Sequence, residues 1–282
     1  MPARIAVITD SSSCLPDLVA ARWAIGVVQI QMSLGNHHYD DENRFDRGEV
    51  IDAMRSGRVI TTAPPDPGAF FWTYQEAAAS GATAIVSIHI SGRMSDTVRA
   101  AREAAQQVRI PVHVLDSRTT GMSLGFAVVS AARAAAAGAD ATRVIEAAER
   151  RCTTSTEFIY VDTLEYLRRG GRIGAAQAML GSAFSIKPLL TVKDGEVAPL
   201  ARVPGTRRAL AKMVDLAVKK SGGFRADIAV TRFGASDHEL EIGRQIERRV
   251  PAMVESMVVE ASTVIGAHLG PGALGITVSP VG

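Results

Sequence analysis

The sequence is poor in cysteine and in aromatic residues, and both shortages narrow the class of protein. Its two cysteines, Cys14 and Cys152, stand alone, with no C-x-x-C pair and no metal-ligand spacing. This pattern argues against a disulfide framework and a zinc site, and it is typical of reduced thiols in a cytoplasmic protein. Aromatic residues make up only 5% of the chain, so we expect helices that pack through small side chains.

The sequence also lacks clusters of charge and long apolar runs. Its 31 Lys and Arg residues nearly balance 29 Asp and Glu residues, and the arginines are spread along the chain. A nucleic-acid-binding surface needs concentrated cations, so nucleic acid is not predicted as a partner. The uncharged stretch 119–132 is too short to cross a bilayer, and the chain begins with a strand-like run instead of a signal segment. These features predict a cytoplasmic protein without integral membrane association.

What the sequence does have is an alternation of short β-rich runs and helical patterns. In the first half, strands are predicted at 5–9, 27–34, 84–90 and 112–115, and helices at 46–56, 66–81, 95–107 and 125–137. The helices at 46 and 66 begin with aspartates that can cap them, and Pro67 suits a first helical position. Such alternation predicts an α/β fold with a mostly parallel sheet covered by helices.

The second half is predicted to form a smaller α/β unit that follows a helix at 141–151. Its strands are predicted at 158–161, 186–192, 197–202 and 228–231, and its helices at 164–169, 206–220 and 236–250. Asp194-Gly195 predicts a hairpin, because this pair favours the positive φ angles of a tight turn. A length of 282 residues suits two α/β domains. We place their boundary near Cys152, which gives domains 1–152 and 153–282.

Hydroxyl-rich turns follow four of the apolar runs, at 9–13, 61–62, 91–97 and 116–117. Ligands of parallel α/β sheets sit beyond the carboxyl ends of the strands, where such turns lie. Ser95 is predicted at a helix amino terminus, which favours an anion. His268 lies in a glycine-rich segment, 266–275, that is predicted to be an ordered loop. Hydroxyls and one histidine, without a dense cluster of cations, suit a monoanion such as a carboxylate.

A second motif favours different chemistry. Residues 121–125 match G-x-S-x-G, and Ser123, Asp162 and His268 follow the chain order of the α/β-hydrolase triad. That motif requires a strand that runs directly into the serine, whereas residues 116–120 separate the predicted strand from it. A serine hydrolase that uses Ser123 is therefore kept as an alternative to a binding protein.

Short segments spread over the chain resemble the DegV family of bacterial fatty-acid-binding proteins. The matching segments are Thr9-Asp10-Ser11, 61–64, 94–97, Asp116-Ser117, 163–174, 186–188 and 268–273. The resemblance implies a two-domain DegV-like fold with a long acyl chain buried between the domains. It also implies that the residues at Thr61 and Ser95 bind the carboxylate, with His268 nearby.

The same turns contain Thr62, Ser91 and Gly92, which complete the predicted ligand site; no metal site is predicted. From this resemblance the chain is expected to be a non-enzymatic carrier of a long-chain fatty acid that needs no cofactor. Many members deliver the fatty acid to a separate kinase that forms acyl phosphate, which implies a fatty acid kinase subunit as a partner. A carrier of another amphiphile is the remaining alternative.

Some residues depart from the family pattern. Asp96 stands where the family usually has glycine, and its carboxylate would repel a bound carboxylate unless its side chain turned outward. Residues 203–206 lack the arginine that family members usually have at this place, which the resemblance links to docking of the kinase. Arg202 or Arg207 is predicted to substitute for it, with Arg202 taken as the partner-binding residue. Arg172, on the glycine-rich turn 170–174, is predicted to be an exposed partner-binding residue.

Overall fold

The computed structural model describes residues 4–39, 46–181, 185–234 and 238–281. The first part contains β1 (Ile5–Asp10), α1 (Asp17–Arg22), β2 (Gly26–Val28), β3 (Gln31–Leu34), β4 (His37–Tyr39), α2 (Arg47–Arg55), β5 (Ile60–Ala63), α3 (Pro67–Ala79), β6 (Ala84–His89), α4 (Thr97–Ala105), β7 (Val112–Asp116), α5 (Gly121–Ala136) and α6 (Ala141–Thr154). The second part contains β8 (Thr156–Tyr160), α7 (Glu165–Arg169), β9 (Ile186–Lys193), β10 (Glu196–Pro204), α8 (Thr206–Ser221), β11 (Ala226–Arg232), α9 (His238–Arg249), β12 (Met253–Glu260), α10 (Thr263–Leu269) and β13 (Leu274–Pro280).

The predicted parallel sheet is confirmed as a four-stranded sheet in the order β2-β1-β6-β7. Alternate residues of a strand point to opposite faces, so residues of its two central strands pack into two separate cores. On one face, Val7 and Val86 belong to a cluster with α5 and α6. On the other face, Ile8 and Ile85 belong to a cluster with α3 and α4. The sheet is therefore covered by helices on both sides.

The single strand predicted over 27–34 is wrong, because the chain breaks there into β2 and β3. The backbone N–H of Ile30, in the break, donates to Ser11 Oγ at 3.1 Å and not to a neighbouring strand. After the break, β3 pairs antiparallel with β4 and β5 in a separate three-stranded sheet. The hydrophobic pattern runs through the break, so the sequence did not reveal it.

The second part forms a six-stranded sheet in the order β10-β9-β8-β13-β11-β12, in which only the pair β11–β12 is parallel. Helices α8 and α9 cover one face through residues such as Met213 and Ile246. Residues of the other face, such as Ile159 and Ala229, join a cluster that also includes Met32 and Met122 from the first part. The two parts therefore share a core between their sheets.

Local sequence signals set several boundaries. Asp66 accepts the backbone N–H of Gly68 at 2.7 Å and so caps α3, as predicted. The hairpin between β9 and β10 is confirmed, with φ angles of 52° at Asp194 and 84° at Gly195. Helix α5 begins at Gly121, four residues before its predicted start at 125. Its first turn is held by the buried side chain of Glu157, whose Oε1 atom accepts the Ser123 N–H at 2.7 Å. A contact with so distant a residue cannot be seen in the local sequence pattern.

The boundary region contains a buried ion pair that ties the two parts together. Arg151, on α6, donates from Nη2 to Asp227 Oδ2 at 2.5 Å and from Nη1 to the Ser279 carbonyl at 3.2 Å. The four-stranded and three-stranded sheets use residues up to 116, and the six-stranded sheet uses residues from 156 onward. The domain boundary near Cys152 stays a prediction. Within the described ranges, no helix combines the length and apolar character needed to cross a membrane.

Candidate functional site

A mainly apolar cavity of about 970 Å³, counting the part that opens to solvent, lies between the sheets. Small-molecule sites are typically concave and mainly apolar with a few polar groups in the wall, and this cavity has the same character. Both parts of the chain contribute apolar side chains to its wall, including Ile30, Ile90, Ile159, Val192, Phe233 and Val264. Polar residues also line it, among them Thr62, Ser95, Arg172 and His268.

These four residues form a polar corner at which four segments of the chain meet. Thr62 Oγ1 lies 2.8 Å from His268 Nε2, although the two residues are 206 positions apart. Arg172 Nε donates to the Met94 carbonyl at 3.0 Å, next to Ser95 in the chain. Hydroxyls, a guanidinium and an imidazole thus converge on one end of an apolar wall.

His268 lies in the last turn of α10, so the prediction of a loop over 266–275 is wrong for its first part. Ser262 caps the helix and accepts the Ile265 N–H at 3.4 Å. Gly266 lies inside the helix. Glycine is required at this position because a Cβ atom there would be 2.1 Å from the ring of Phe233. The glycine that suggested a loop therefore serves a close approach between α10 and an aromatic ring.

The imidazole of His268 lies in an environment that disfavours its charged form. Burial, and then the positive charge of Arg172, lower the pKa of His268 to about 4. Its Nδ1 atom is buried and has no hydrogen-bond partner among the described residues. A neutral imidazole can orient a ligand group by hydrogen bonding but adds no charge near pH 7.

The structure separates the two threonines that the sequence placed in one turn. They lie in β5, where Thr62 pairs with Met32 and Thr61 pairs with Ser33 of β3. Thr62 is half-buried in the cavity wall, whereas Thr61 is exposed and does not line the cavity. The predicted turn at 61–62 is thus a strand, and the hydroxyl beside Ser95 in the cavity wall belongs to Thr62.

Ser91 and Gly92 do not line the cavity either. Ser91 is fully buried and donates from Oγ to the Gly195 carbonyl at 2.7 Å, so it ties its loop to the β9–β10 hairpin. Gly92 is exposed, and its N–H donates to Asp116 Oδ1 at 3.1 Å. Both predicted ligand residues therefore support the turn that leads to Ser95.

Asp96 turns away from the cavity, as a bound carboxylate would require. Its side chain is 63% exposed and pairs with Arg99 at 3.3 Å. It does not hydrogen-bond to the amino terminus of α4, which begins at Thr97. Ser95 precedes that helix, and its Oγ lies 2.8 Å from Thr97 Oγ1.

The two predicted partner-binding arginines lie in different places. Arg172 is half-buried in the cavity wall, and its Nη1 donates to the Gly170 carbonyl at 2.8 Å, so its prediction as an exposed group is wrong. Arg202 is exposed and donates from Nη2 to the Ala178 carbonyl at 2.5 Å. It borders a separate surface depression with Asp162 and Glu165.

The side chain of Asp10 stabilises the loop next to the site; the sequence placed it in a hydroxyl-rich turn and a family segment but not among the site residues. Its Oδ2 atom accepts the Ile90 N–H at 3.0 Å and lies 3.0 Å from His89 Nδ1. Its Oδ1 atom accepts the Ser12 N–H at 3.0 Å. All of these side chains except that of Ile90 are completely buried. The aspartate after β1 thus holds the start of the loop that carries Ser95.

The hydrolase triad is not assembled. Ser123 lies in the first turn of α5 with 1% of its surface exposed. Asp162 accepts hydrogen bonds from Tyr160 at 2.5 Å and Lys187 at 3.0 Å, and His268 contacts Thr62. No hydrogen bond links the three residues, all of which are described. Over the described ranges, no group of three or more His, Cys, Asp and Glu residues could hold a metal ion.

Comparison with known proteins agrees with this architecture. The model of the DegV family, described as an uncharacterised protein family, matches residues 4–281. A DegV domain-containing protein of Streptomyces coelicolor is 39% identical over 279 residues, which cover 99% of each chain. A second one, from Mycobacterium tuberculosis H37Rv, is 35% identical over 275 residues, covering 97% of this chain and 96% of its own.

Solved structures show the same fold. A DegV family protein of Thermus thermophilus, described by its fatty acid binding, superimposes with a TM-score of 0.93 at 31% identity, covering 99% of this chain and all of its own. DegV of Bacillus subtilis, described as a fatty acid binding protein, superimposes with a TM-score of 0.89 at 27% identity, with the same coverage. The α/β fold and the family implied by the sequence segments are therefore confirmed. This chain belongs to the DegV family.

Proposed function

We propose that this protein is a non-enzymatic carrier that buries the acyl chain of a long-chain fatty acid in the cavity between its sheets. The observation that carries the proposal is an apolar cavity with hydroxyls and one arginine gathered at one corner of its wall. The fatty acid binding described for the relatives from Thermus thermophilus and Bacillus subtilis supports the same ligand class. On this proposal the ligand lies between domains 1–152 and 153–282.

The apolar wall and the polar corner contribute different amounts to the free energy of binding. At roughly 0.8 kcal/mol per buried methylene, a tail of about fourteen methylenes gains on the order of 11 kcal/mol before the costs of association. A hydrogen bond to a charged group contributes only about 1.5–3 kcal/mol. The tail therefore sets the affinity, and the head group sets the orientation and the class of ligand.

The carboxylate is proposed to bind at Thr62 and Ser95, beside Arg172 and His268. When His268 donates from Nε2 to Thr62 Oγ1, the hydroxyl hydrogen of Thr62 is free to donate to a carboxylate oxygen. The positive charge of Arg172, which already lowers the pKa of His268, favours an anion in the same corner. The outward turn of Asp96 removes the nearby negative charge that would oppose it.

The proposal is tested by measuring what the purified protein holds. Native mass spectrometry of protein from a bacterial host should show about one equivalent of a fatty acid with a free carboxylate. After delipidation, the protein should take up labelled palmitate or oleate in the same ratio. A protein that carries no lipid and takes up neither acid would refute the carrier function.

A fatty acid kinase subunit is the proposed partner that receives the bound carboxylate and forms acyl phosphate. Arg202 is the candidate contact residue, because it is exposed and lies outside the cavity wall. Arg202→Ala should slow acyl-phosphate formation by a competent kinase and leave palmitate affinity unchanged, since a charge on the rim mainly affects encounter. Unchanged acyl-phosphate formation would exclude this contact.

A further inference from the structure

A second polar spot lies in the cavity wall. It consists of the carboxyl group of Glu157 and the hydroxyl of Thr120, both of which line the cavity. Glu157 is 6% exposed and Thr120 is 8% exposed. Polar groups buried this deeply normally have hydrogen-bond partners, because leaving them without one costs free energy.

Glu157 is held in place by neighbours that are all uncharged. Its Oε1 atom accepts the Ser123 N–H at 2.7 Å, in the first turn of α5. The hydroxyl of Thr277, on the adjacent strand β13, lies 2.9 Å from Oε1 and 2.8 Å from Oε2. Burial raises the pKa of Glu157. The carboxyl group is thus rigidly placed, and none of the described basic side chains forms an ion pair with it.

Thr120 supplies the second observation. Its Oγ1 atom is buried and has no hydrogen-bond partner among the described residues. It precedes Gly121, whose Cα carries no side chain; a Cβ atom there would lie 3.2 Å from Glu157 Oε1. The threonine hydroxyl and the glutamate oxygens therefore border the same part of the wall, with no side chain between them at Gly121.

This spot is built from other segments of the chain than the corner proposed for the carboxylate. Glu157 is the second residue of β8, whereas His268 packs against Gly170, ten residues after the end of that strand. No described hydrogen bond joins Glu157 or Thr120 to a residue of the polar corner.

We propose that Glu157 and Thr120 form a subsite for a hydroxyl group carried by the acyl chain itself, so that hydroxylated fatty acids are preferred ligands. The ligand hydroxyl would donate to a Glu157 oxygen and accept from Thr120 Oγ1, which satisfies the unpartnered hydroxyl of Thr120. A plain acyl chain leaves that hydroxyl without a partner. The inference rests on the proposed fatty acid carrier function, and it adds the substituent that the cavity selects.

The test compares stearate with 10-hydroxystearate and 12-hydroxystearate by calorimetry on delipidated protein. One of the two hydroxylated acids should bind wild-type protein about tenfold more tightly than stearate, since one satisfied buried hydrogen bond changes affinity by about that factor. Thr120→Val should abolish this preference and keep the affinity for stearate. Thr120→Ser, the matched control that retains the hydroxyl, should preserve the preference.

Two results would overturn the subsite while leaving the carrier function intact. In the first, stearate binds normally while neither hydroxylated acid binds wild-type protein more tightly than stearate, which shows that the wall does not recognise their hydroxyl groups. In the second, Thr120→Val keeps the same preference as wild type, which places the ligand hydroxyl elsewhere. Failure of wild-type protein to bind any of the three acids would instead refute the carrier function, and the subsite with it.

Discussion

At the scale of single residues, a shift of one position decides which side chain lines the cavity. Thr61 and Thr62 are neighbours in β5, and alternate residues of a strand point to opposite faces. The resemblance to the family suggested Thr61, but in the structure Thr62 lines the cavity and contacts His268. Local sequence cannot decide between two adjacent threonines, because the choice depends on which face of the strand is buried.

Substitution of the two hydroxyl residues of the polar corner should affect the acid and not the alcohol. Thr62→Val and Ser95→Ala should each weaken palmitate binding about tenfold to a hundredfold, since each removes a hydrogen bond to a charged group worth about 1.5–3 kcal/mol. The double variant should lose less than the sum, because both donors share one anion. Calorimetric titration with hexadecanol should give nearly wild-type affinity for all three.

Thr61→Val is the matched control for these variants. The same chemical change at the exposed neighbour should leave palmitate affinity within a few-fold of wild type. If palmitate and hexadecanol lose affinity equally in the Thr62 and Ser95 variants, these residues only support the fold.

His268 should make the stability of the protein depend on pH. Its pKa of about 4 in the folded state lies below the value of about 6.5 for an unfolded histidine, so between these values the unfolded chain binds the extra proton. The free energy of unfolding should therefore fall as the pH drops from about 6.5 toward 4, by up to about 3 kcal/mol from this residue. His268→Gln should remove this part of the slope in urea unfolding at pH 7 and pH 4.5. An unchanged slope would contradict the assignment.

At the scale of elements, the strand–helix alternation predicted the parallel sheet, and aspartate caps predicted where α2 and α3 begin. The sequence failed where a distant residue sets the local structure. Helix α10 was predicted as a loop because Gly266 is required by the ring of Phe233. The start of α5 was misplaced because Glu157, from β8, binds its first turn.

Substitution of Gly266 by alanine tests whether the close contact with the ring of Phe233 determines the position of α10. Gly266→Ala should lower the free energy of unfolding by about 1–3 kcal/mol or more, because the new Cβ would lie 2.1 Å from Phe233. It should also weaken palmitate binding, since α10 carries His268. Gly243→Ala in α9 is the control: the nearest atom to its Cβ is 3.9 Å away, so it should stabilise by about 0.5–1 kcal/mol. Wild-type thermal stability and affinity in Gly266→Ala would contradict this explanation.

At the scale of the whole molecule, the cavity exists because two sheets from different parts of the chain share a core. Its polar corner joins Thr62, Ser95, Arg172 and His268, which are brought together by tertiary packing alone. The sequence indicated three of these as ligand residues, through hydroxyl-rich turns and family segments. Arg172 was predicted at the surface because nothing in a glycine-rich turn shows that its arginine folds back onto the Met94 carbonyl.

The most direct test of the proposed carrier function is a crystal structure of the protein saturated with palmitate. The acyl chain should lie in the cavity between the sheets, with a carboxylate oxygen within about 3.2 Å of the hydroxyls of Thr62 and Ser95. A cavity that remains free of lipid under these conditions would contradict the carrier function. A chain bound with its carboxylate away from Thr62 and Ser95 would contradict the assigned head-group site.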